Sequence, residues 1–226
     1  MLDAILIVLA SYLIGSVPVA YLTGRLLRGI DIRQYGSRNT GASNIWQTVS
    51  KVAVVPVGLT EIGQGLLGIV IAKLVGQSLA IQVLAGLAAL GGHNWSPFLG
   101  FTGGRGIAHA IGFMLVLSWP ALGAFIGLSL FGVAVRAVPQ FVGLAIVAAP
   151  FAALATGQSP EIVAGAGGMA ALIIAKRLLT NQPSPRDGID VRAVLFNRLL
   201  YDRDTREREA WVQSGTGENQ RPTTTD

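Results

Sequence analysis

The chain has 226 residues, of which 51% are hydrophobic and 13% charged, and its mean hydropathy is +0.56. This composition is typical of a membrane bundle. The absence of cysteine excludes a disulfide framework, a thiolate metal site and a thioester nucleophile, and the two histidines, His93 and His109, are too few and too far apart to suggest a metal cluster. The net charge of +5 does not indicate nucleic-acid binding, because the basic residues lie between apolar runs and form no single patch.

The apolar runs predict an all-α integral membrane protein with seven short transmembrane helices. The first run, from Ala4 to Gly24, is long enough to cross a hydrocarbon core of roughly 30 Å as a helix. Pro120 divides one long uncharged run into two. Hydropathy alone would also allow five or six spans. The later runs begin at Val52, Gln77, Ile107, Pro120, Phe141 and Ile162.

Basic residues predict the orientation of these spans. They lie in alternate loops and in the tail, whereas the opposite side has little beyond Lys73. By the positive-inside rule, the N-terminus is outside, and the basic loops and the C-terminus are cytoplasmic. No internal repeat of useful length appears, so an inverted-repeat transporter is not supported. The basic positions are Arg25, Arg28, Arg33, Arg38, Lys51, Arg105, Arg136, Lys176 and Arg177.

The first cytoplasmic loop contains a dense polar segment, GSRNTGASN, at residues 36–44. Such residues turn the chain tightly and offer hydroxyl, amide and backbone donors together. A nest of neutral donors suits a phosphate group. For this loop alone, an ordinary polar connector with local side-chain caps is an equally good interpretation.

Glu61 lies within the second predicted span. An ionisable group at this depth is costly and is therefore a functional candidate by default. We expect it to pair with Lys51, with Arg105 or with a helix dipole.

A second polar segment, GGHNWSPFLGFTGGRGIA at residues 91–108, interrupts the apolar pattern. Its GGRG portion places Arg105 between glycines. Glycines allow close backbone approach to an anion, and arginine can bind a phosphate bidentately. Taken alone, GGRG is better explained by close helix packing and a positive-inside anchor. Two phosphate-compatible loops on one predicted face nevertheless suggest two phosphorylated substrates, or a donor and an acceptor.

The composition changes after Lys176. Apolar residues recur at helical spacing between Ile189 and Trp211, interleaved with arginines, and this pattern favours an amphipathic segment on the anionic cytoplasmic leaflet. An equally good alternative is that the basic residues only keep this segment on the cytoplasmic side of the membrane. We therefore divide the chain into a membrane domain at 1–178, a cytoplasmic amphipathic segment at 179–212, and a polar tail at 213–226 that is typical of disorder.

Three segments resemble the bacterial acyl-phosphate:glycerol-3-phosphate acyltransferase family, PlsY. They are GSVPVAYLTGR at residues 15–25, GIDIRQYGSRNTGASN at 29–44 and GGHNWSPFLGFTGGRGIA at 91–108, and they fall in about the first half of the chain. The resemblance implies seven short membrane helices, no metal or other cofactor, and transfer of a fatty acyl group from acyl phosphate to glycerol 3-phosphate. The product would be lysophosphatidic acid, a phospholipid precursor.

The resemblance also implies a location and partners. The protein would be a multi-pass protein of the cell inner membrane, with its active-site loops facing the cytoplasm. Its partners would be acyl phosphate, glycerol 3-phosphate and the lipid bilayer, and an enzyme that produces acyl phosphate is a further candidate. No nucleic-acid partner is expected.

The family motifs assign candidate site residues. Ser37 and His93 fall on catalytic positions, although His93 has an alternative as a helix-end residue bonded to a backbone carbonyl. Arg105 stands where the family usually has lysine, so a planar fork replaces a point charge. The substrate- and phosphate-binding positions are Asn39, Gly41, Asn44, Gly103, Gly104, Arg105 and Gly106.

Several positions depart from the family pattern. Gln47 replaces a usual arginine, Glu61 and Gln64 replace an Asp and a Lys, and residues 137–140 lack the usual serines. The third motif, with its His, Asn and Glu, is not recognisable. These departures favour a second hypothesis, a catalytically degenerate membrane relative that binds phosphorylated lipid precursors or a partner enzyme.

The chemistry tolerates some loss of contacts. An acyl phosphate is a mixed anhydride with a good leaving group, so an enzyme mainly has to position the acceptor and stabilise developing charge. The resemblance implies that the donor phosphate takes the hydroxyl proton. We expect tail arginines such as Arg177 or Arg198 to replace lost contacts.

Overall fold

The computed structural model describes residues 1–179 and 190–204. This part of the chain is helical apart from turns and one isolated bridge, and short 3-10 helices at Ile32–Gln34 and Pro97–Leu99 lie in the two polar loops. Residues 180–189 and 205–212 of the predicted amphipathic segment and the whole predicted tail at 213–226 lie outside the described residues. The helices are α1 Leu2–Ser16, α2 Val19–Arg28, α3 Ala42–Thr48, α4 Val54–Leu74, α5 Leu79–Asn94, α6 Ile107–Leu117, α7 Trp119–Ala134, α8 Val138–Ala155, α9 Pro160–Leu179 and α10 Val191–Tyr201.

Four of these elements are long and apolar enough to cross a membrane. They are Leu2–Arg28, which joins α1 and α2, together with α4, α8 and α9, whereas α5, α6 and α7 are apolar but shorter. Large apolar side chains remain exposed along these helices, including Leu9 of α1 and Phe151 of α8. Helices that are apolar on their exposed faces as well as their buried faces are typical of a protein surrounded by lipid.

Glycines allow the membrane helices to touch through their backbones. A Cβ atom added to Gly15 of α1 would fall on the backbone of Ala89 in α5. From the opposite side, a Cβ atom on Gly92 would fall on the Tyr12 carbonyl. Close approach through small residues is the usual basis of helix association in lipid. The glycine-rich composition therefore brings α1 against α5, the helix that leads into the second polar loop.

Gln64 of α4 stabilises the break between α1 and α2. Pro18 lacks a backbone N–H, so the Ile14 carbonyl loses its usual helical donor and accepts instead from the Val17 N–H at 3.3 Å. The Gln64 side-chain amide donates to the carbonyls of Ile14 (2.8 Å) and Val17 (3.1 Å). Backbone groups at membrane depth must be satisfied within the protein, so Gln64 has a structural partner at this break.

The predicted division at Pro120 is confirmed. α6 ends at Leu117, and α7 begins at Trp119 after Ser118, whose hydroxyl accepts from the Ala121 N–H at 3.4 Å. Gln158, in the loop between α8 and α9, contacts the Ser118 hydroxyl and donates to the Leu117 carbonyl at 3.3 Å. These contacts satisfy polar groups that the proline would otherwise leave unpaired.

We expect Gly15→Ala to destabilise the protein by about 1–3 kcal/mol, because the added methyl group overpacks a backbone contact. Gly63→Ala is the matched control, since nothing lies within 4 Å of a Cβ atom at that mid-helix position. Thermal unfolding in detergent measures both variants. Equal unfolding temperatures for the two would contradict the proposed backbone contact.

Candidate active site

Asn44 organises the first polar loop. Its side chain is fully buried, and its Nδ2 donates to the carbonyls of Ile32 (2.9 Å), Tyr35 (3.2 Å) and Asn39 (3.0 Å). Its Oδ1 accepts from the Ser37 backbone N–H at 3.1 Å. One buried amide therefore links several turns of the loop, and Asn44 holds the loop in shape without reaching a cavity itself.

Ser37 is held at the tip of this loop by a tight turn. Gly36 and Arg38 on either side have positive φ angles of 55° and 54°. The Ser37 hydroxyl is buried and has no hydrogen-bond partner among the described residues. Because buried hydroxyl groups are normally bonded, this one is a candidate ligand-binding donor. Asn39 and Gly41 lie in the same loop, Gly41 directly before α3.

Glu61 anchors α3 to the membrane helices. It is buried within α4, and its carboxylate accepts from the backbone N–H of Ala42, the first residue of α3. Of the three expected pairings, the structure therefore shows the one with a helix N-terminus. This contact fixes α3, which carries Ser43 and Gln47, against α4.

The glycines of the second loop pack against the end of α5. The Gly104 N–H donates to the His93 carbonyl at 3.1 Å, and a Cβ atom on Gly103 would fall on that same carbonyl. Gly106 has a φ of 79° and precedes α6. These three predicted phosphate-binding glycines thus face α5, and they position Arg105 at the edge of a cavity.

His93 lies behind this loop. Its ring is buried, lies next to Gly104, and stacks at a tilt on His109 with ring centroids 4.2 Å apart. His93 is not among the residues that line the polar cavity described below. Its catalytic role stays a prediction, and its observed contacts support the second loop.

Asp31 and Arg33 join the two loops. The Arg33 guanidinium donates to the Asp31 carboxylate at 2.7 and 3.0 Å, and it also reaches the Leu99 carbonyl and the Thr102 hydroxyl at 3.4 Å. The side-chain hydrogen bond from Arg33 holds the pKa of the Asp31 carboxyl below its usual range, although partial burial opposes this effect. The folded protein therefore stabilises the charged form of Asp31.

The two polar loops meet at one polar cavity of about 610 Å³. The first loop and α3 contribute Ser37 and Gln47, and the second loop contributes Arg105. The two loops therefore contribute to one lining. The full lining is Ser37, Ser43, Trp46, Gln47, Arg105, Val133, Arg136, Val138, Pro139, Gln140, Tyr201, Asp202 and Arg203.

Asp202 is a cavity residue that the sequence analysis missed. Its carboxylate binds Arg105 Nη1 at 2.7 Å, and its backbone carbonyl accepts from Arg105 Nη2 at 2.7 Å. The other carboxylate oxygen lies 3.5 Å from Arg177 Nε. Charge-assisted contacts of this kind are strong and directional, so Asp202 fixes the Arg105 guanidinium. The available signal was the acidic pair in YDRD at the end of α10.

The two tail arginines expected at the site differ. Arg177 is 3% exposed, lies against Asp202, and donates to the carbonyls of Pro139 (3.4 Å) and Leu199 (3.1 Å). Arg198 instead pairs with Asp204 at 2.6 Å and is not part of the cavity lining. The expectation of a compensating contact at the site is therefore wrong for Arg198, because its guanidinium is already bound between α9 and α10.

An apolar groove of about 250 Å³ lies beside the polar cavity, between α8, α9 and α10. Leu144, Val147 and Leu199 of its lining are between 42% and 50% exposed, so the groove opens towards the lipid-facing surface. Gln140 belongs to both linings. The groove residues are Gln140, Gly143, Leu144, Ile146, Val147, Ile173, Ile174, Arg177, Leu199 and Leu200.

Comparison with known proteins gives a consistent result. A family model described as glycerol-3-phosphate acyltransferase matches residues 5–181. The chain is 37% identical to glycerol-3-phosphate acyltransferase 4 of Dehalococcoides mccartyi (strain CBDB1), over 92% of each protein. It is 42% identical to the glycerol-3-phosphate acyltransferase of Synechococcus sp. (strain CC9902), over 73% of this chain and 82% of the relative.

Two solved structures are also similar, both of PlsY, an integral membrane glycerol 3-phosphate acyltransferase. The glycerol 3-phosphate form superposes with a TM-score of 0.70 at 28% identity, over 77% of this chain and 88% of the other. The lysophosphatidic acid form gives a TM-score of 0.71 at 26% identity, over 94% and 99%. The similarity therefore extends over most of both folds.

We expect Asp31→Asn to lower the free energy of unfolding by about 1–2 kcal/mol at pH 7, because it removes a charge-assisted bond. A lowered native pKa contributes stability that is complete above the ordinary aspartate pKa of about 3.9 and is lost as the pH falls through the native value. The unfolding temperatures of wild type and variant should therefore converge in acid. Asp3→Asn on α1 is the control, and a gap that persists in acid would contradict this account.

Proposed function

The chain belongs to the glycerol-3-phosphate acyltransferase family, and we propose that it is an integral membrane enzyme that acylates glycerol 3-phosphate to form lysophosphatidic acid. The observation that carries this proposal is the polar cavity. Its lining contains the Arg105 guanidinium and the Ser37 hydroxyl, which has no hydrogen-bond partner within residues 1–179 and 190–204. Its position beside an apolar groove supports a reaction between a phosphorylated polar substrate and a fatty acyl group.

We propose acyl phosphate as the acyl donor. Such a molecule has an apolar chain and a phosphate on opposite sides of one carbonyl group, and this matches a groove that adjoins a cationic cavity. The groove is smaller than a long acyl chain, but it opens to the lipid-facing surface, where the rest of the chain can extend. Arginines are suited to phosphate because their planar forks bind it bidentately.

The proposed reaction needs no covalent intermediate on the protein. The glycerol hydroxyl oxygen forms a bond to the acyl carbon, the bond between that carbon and the phosphate oxygen breaks, and the leaving phosphate takes the hydroxyl proton. Ser37 donates a hydrogen bond to substrate phosphate, and Arg105 neutralises its charge. In a site that excludes water, fixed donors of this kind are effective because they need little reorganisation.

His93 has a supporting role in this proposal. The His93 ring lies next to Gly104, and the His93 carbonyl accepts from the Gly104 N–H, so His93 fixes the position of the second loop. Asn44 has the equivalent role in the first loop. Ser37 and Arg105, which line the cavity, are the two residues that contact substrate phosphate in this proposal.

We further propose seven membrane passages with the active-site loops in the cytoplasm. Support comes from seven apolar helices among residues 1–179, when α1 and α2 are counted as one, and from the basic loop residues around the polar cavity. An odd number of passages places the two ends of the membrane domain on opposite sides. By the positive-inside rule the N-terminus is then outside and α10 is cytoplasmic.

Single cysteines test this orientation, because the chain contains none. In intact cells, a membrane-impermeant thiol reagent should label Ser78→Cys, in the exposed turn between α4 and α5, and should leave Ser43→Cys unlabelled. Both should be labelled after the membrane is permeabilised. Labelling of Ser43→Cys in intact cells would reverse the proposed orientation.

A second candidate function is a relative that binds phosphorylated lipid precursors without turnover. The observation that favours it is the occupation of Arg105 by Asp202, together with the neutral Gln47 in the same cavity. A substrate phosphate must compete with that carboxylate for the guanidinium. Purified protein that binds acyl phosphate but forms no lysophosphatidic acid from it would favour this second function.

For the enzyme, we expect Ser37→Ala to reduce turnover of acyl phosphate and glycerol 3-phosphate by about 10²- to 10³-fold, the usual loss for one well-placed donor. Ser129→Ala is the matched control, because its hydroxyl on α7 is likewise without a partner in the described part of the chain but lies outside the cavity. Formation of lysophosphatidic acid is measured directly. Unchanged turnover in Ser37→Ala would show that the Ser37 hydroxyl has no role in the reaction.

A further inference from the structure

Gln140 occupies the junction between the two cavities. It lies in the first turn of α8, and it lines both the polar cavity and the apolar groove. The polar cavity on one side of it contains Ser37 and Arg105, and the groove on the other side is almost entirely aliphatic. A ligand that enters both spaces must therefore pass the Gln140 side chain.

The carboxamide of Gln140 is available for a ligand. Its Oε1 is buried and has no hydrogen-bond partner among residues 1–179 and 190–204. A buried amide group without a partner is uncommon in proteins and costs free energy. Because a half-turn of the carboxamide exchanges its oxygen and nitrogen positions, the same place can present an N–H donor.

The backbone that carries Gln140 is rigidly held. Arg177 donates to the carbonyl of Pro139, the preceding residue, and its Nη1 would lie 2.7 Å from a Cβ atom on Gly143. The same guanidinium binds the Leu199 carbonyl of α10. The first turn of α8 is thus fixed between α9 and α10, as a group that positions a reacting atom should be.

This inference rests on the proposed function. An acyl phosphate with its chain in the groove and its phosphate near Arg105 places its carbonyl group at the junction. We propose that Gln140 is a catalytic residue, whose side-chain amide donates a hydrogen bond to the carbonyl oxygen of the acyl donor. As the glycerol oxygen bonds to the acyl carbon, negative charge develops on that oxygen, and the Gln140 N–H stabilises it.

Gln140 is not chemically modified during the proposed step. The carbonyl re-forms when the carbon–oxygen bond to phosphate breaks, and the phosphate leaves with the hydroxyl proton. A neutral amide suits this place, because a cation facing the aliphatic groove would be costly to desolvate. The nearby Arg177 is already bound to backbone carbonyls and lies against Asp202.

The test compares Gln140→Leu, which removes the amide at similar volume, with Gln140→Glu, which replaces its N–H donor by an acceptor. Both should lower kcat for acyl phosphate by about 10²-fold, while KM for glycerol 3-phosphate stays within about threefold. Gln82→Leu on α5 is the matched control, because it makes the same change outside both cavities. Thermal unfolding in detergent verifies that all variants are folded.

The outcomes separate this inference from the proposed function. A wild-type protein that forms no lysophosphatidic acid overturns the proposed function itself. An active wild type with unchanged kcat in Gln140→Leu overturns only the role of Gln140. The role of Gln140 is also overturned if Gln82→Leu lowers kcat as much as Gln140→Leu does. It is overturned as well if Gln140→Glu keeps the wild-type kcat, because the loss in Gln140→Leu would then come from altered packing. Reduced kcat in both Gln140 variants, at unchanged stability, supports it.

Discussion

The contacts of Asp202 with Arg105 and with the buried Arg177 hold the site together. A guanidinium as buried as that of Arg177 costs several kcal/mol to remove from water unless it is compensated. The Asp202 carboxylate and the carbonyls of Pro139 and Leu199 offset that cost. Because Asp202 directly follows α10, these contacts attach the C-terminal helix to α8 and α9, and they close one side of both the cavity and the groove.

This arrangement suits a reaction with an activated donor. A mixed anhydride already carries a good leaving group, so correct placement and charge stabilisation are the main requirements. Groups outside the cavity lining hold the two polar loops in place. Asn44 shapes the first loop, Arg33 connects it to the second, and the Gly103 backbone packs on the end of α5. None of these three residues is among those that line the polar cavity.

Several departures from the family pattern have physical explanations. Gln64 stands where the family usually has a charged residue, and it donates to the carbonyls of Ile14 and Val17 at the break between α1 and α2. Glu61 binds the start of α3. The family's third motif, with its His, Asn and Glu, is not recognisable in the sequence. The structure instead brings an aspartate, Asp202, to the cavity from the end of α10.

The sequence by itself determined the apolar passages, the break at Pro120, the two polar loops and the family, because hydropathy, turn composition and motif spacing are properties of neighbouring residues. Only the tertiary structure decided that Asn44 is a buried support, that the glycines of GGRG face α5, and that Gln140 joins two cavities. The physical reason is distance along the chain. Asp202 follows Arg105 by 97 positions, and only the packing of α10 on α8 and α9 brings their side chains together.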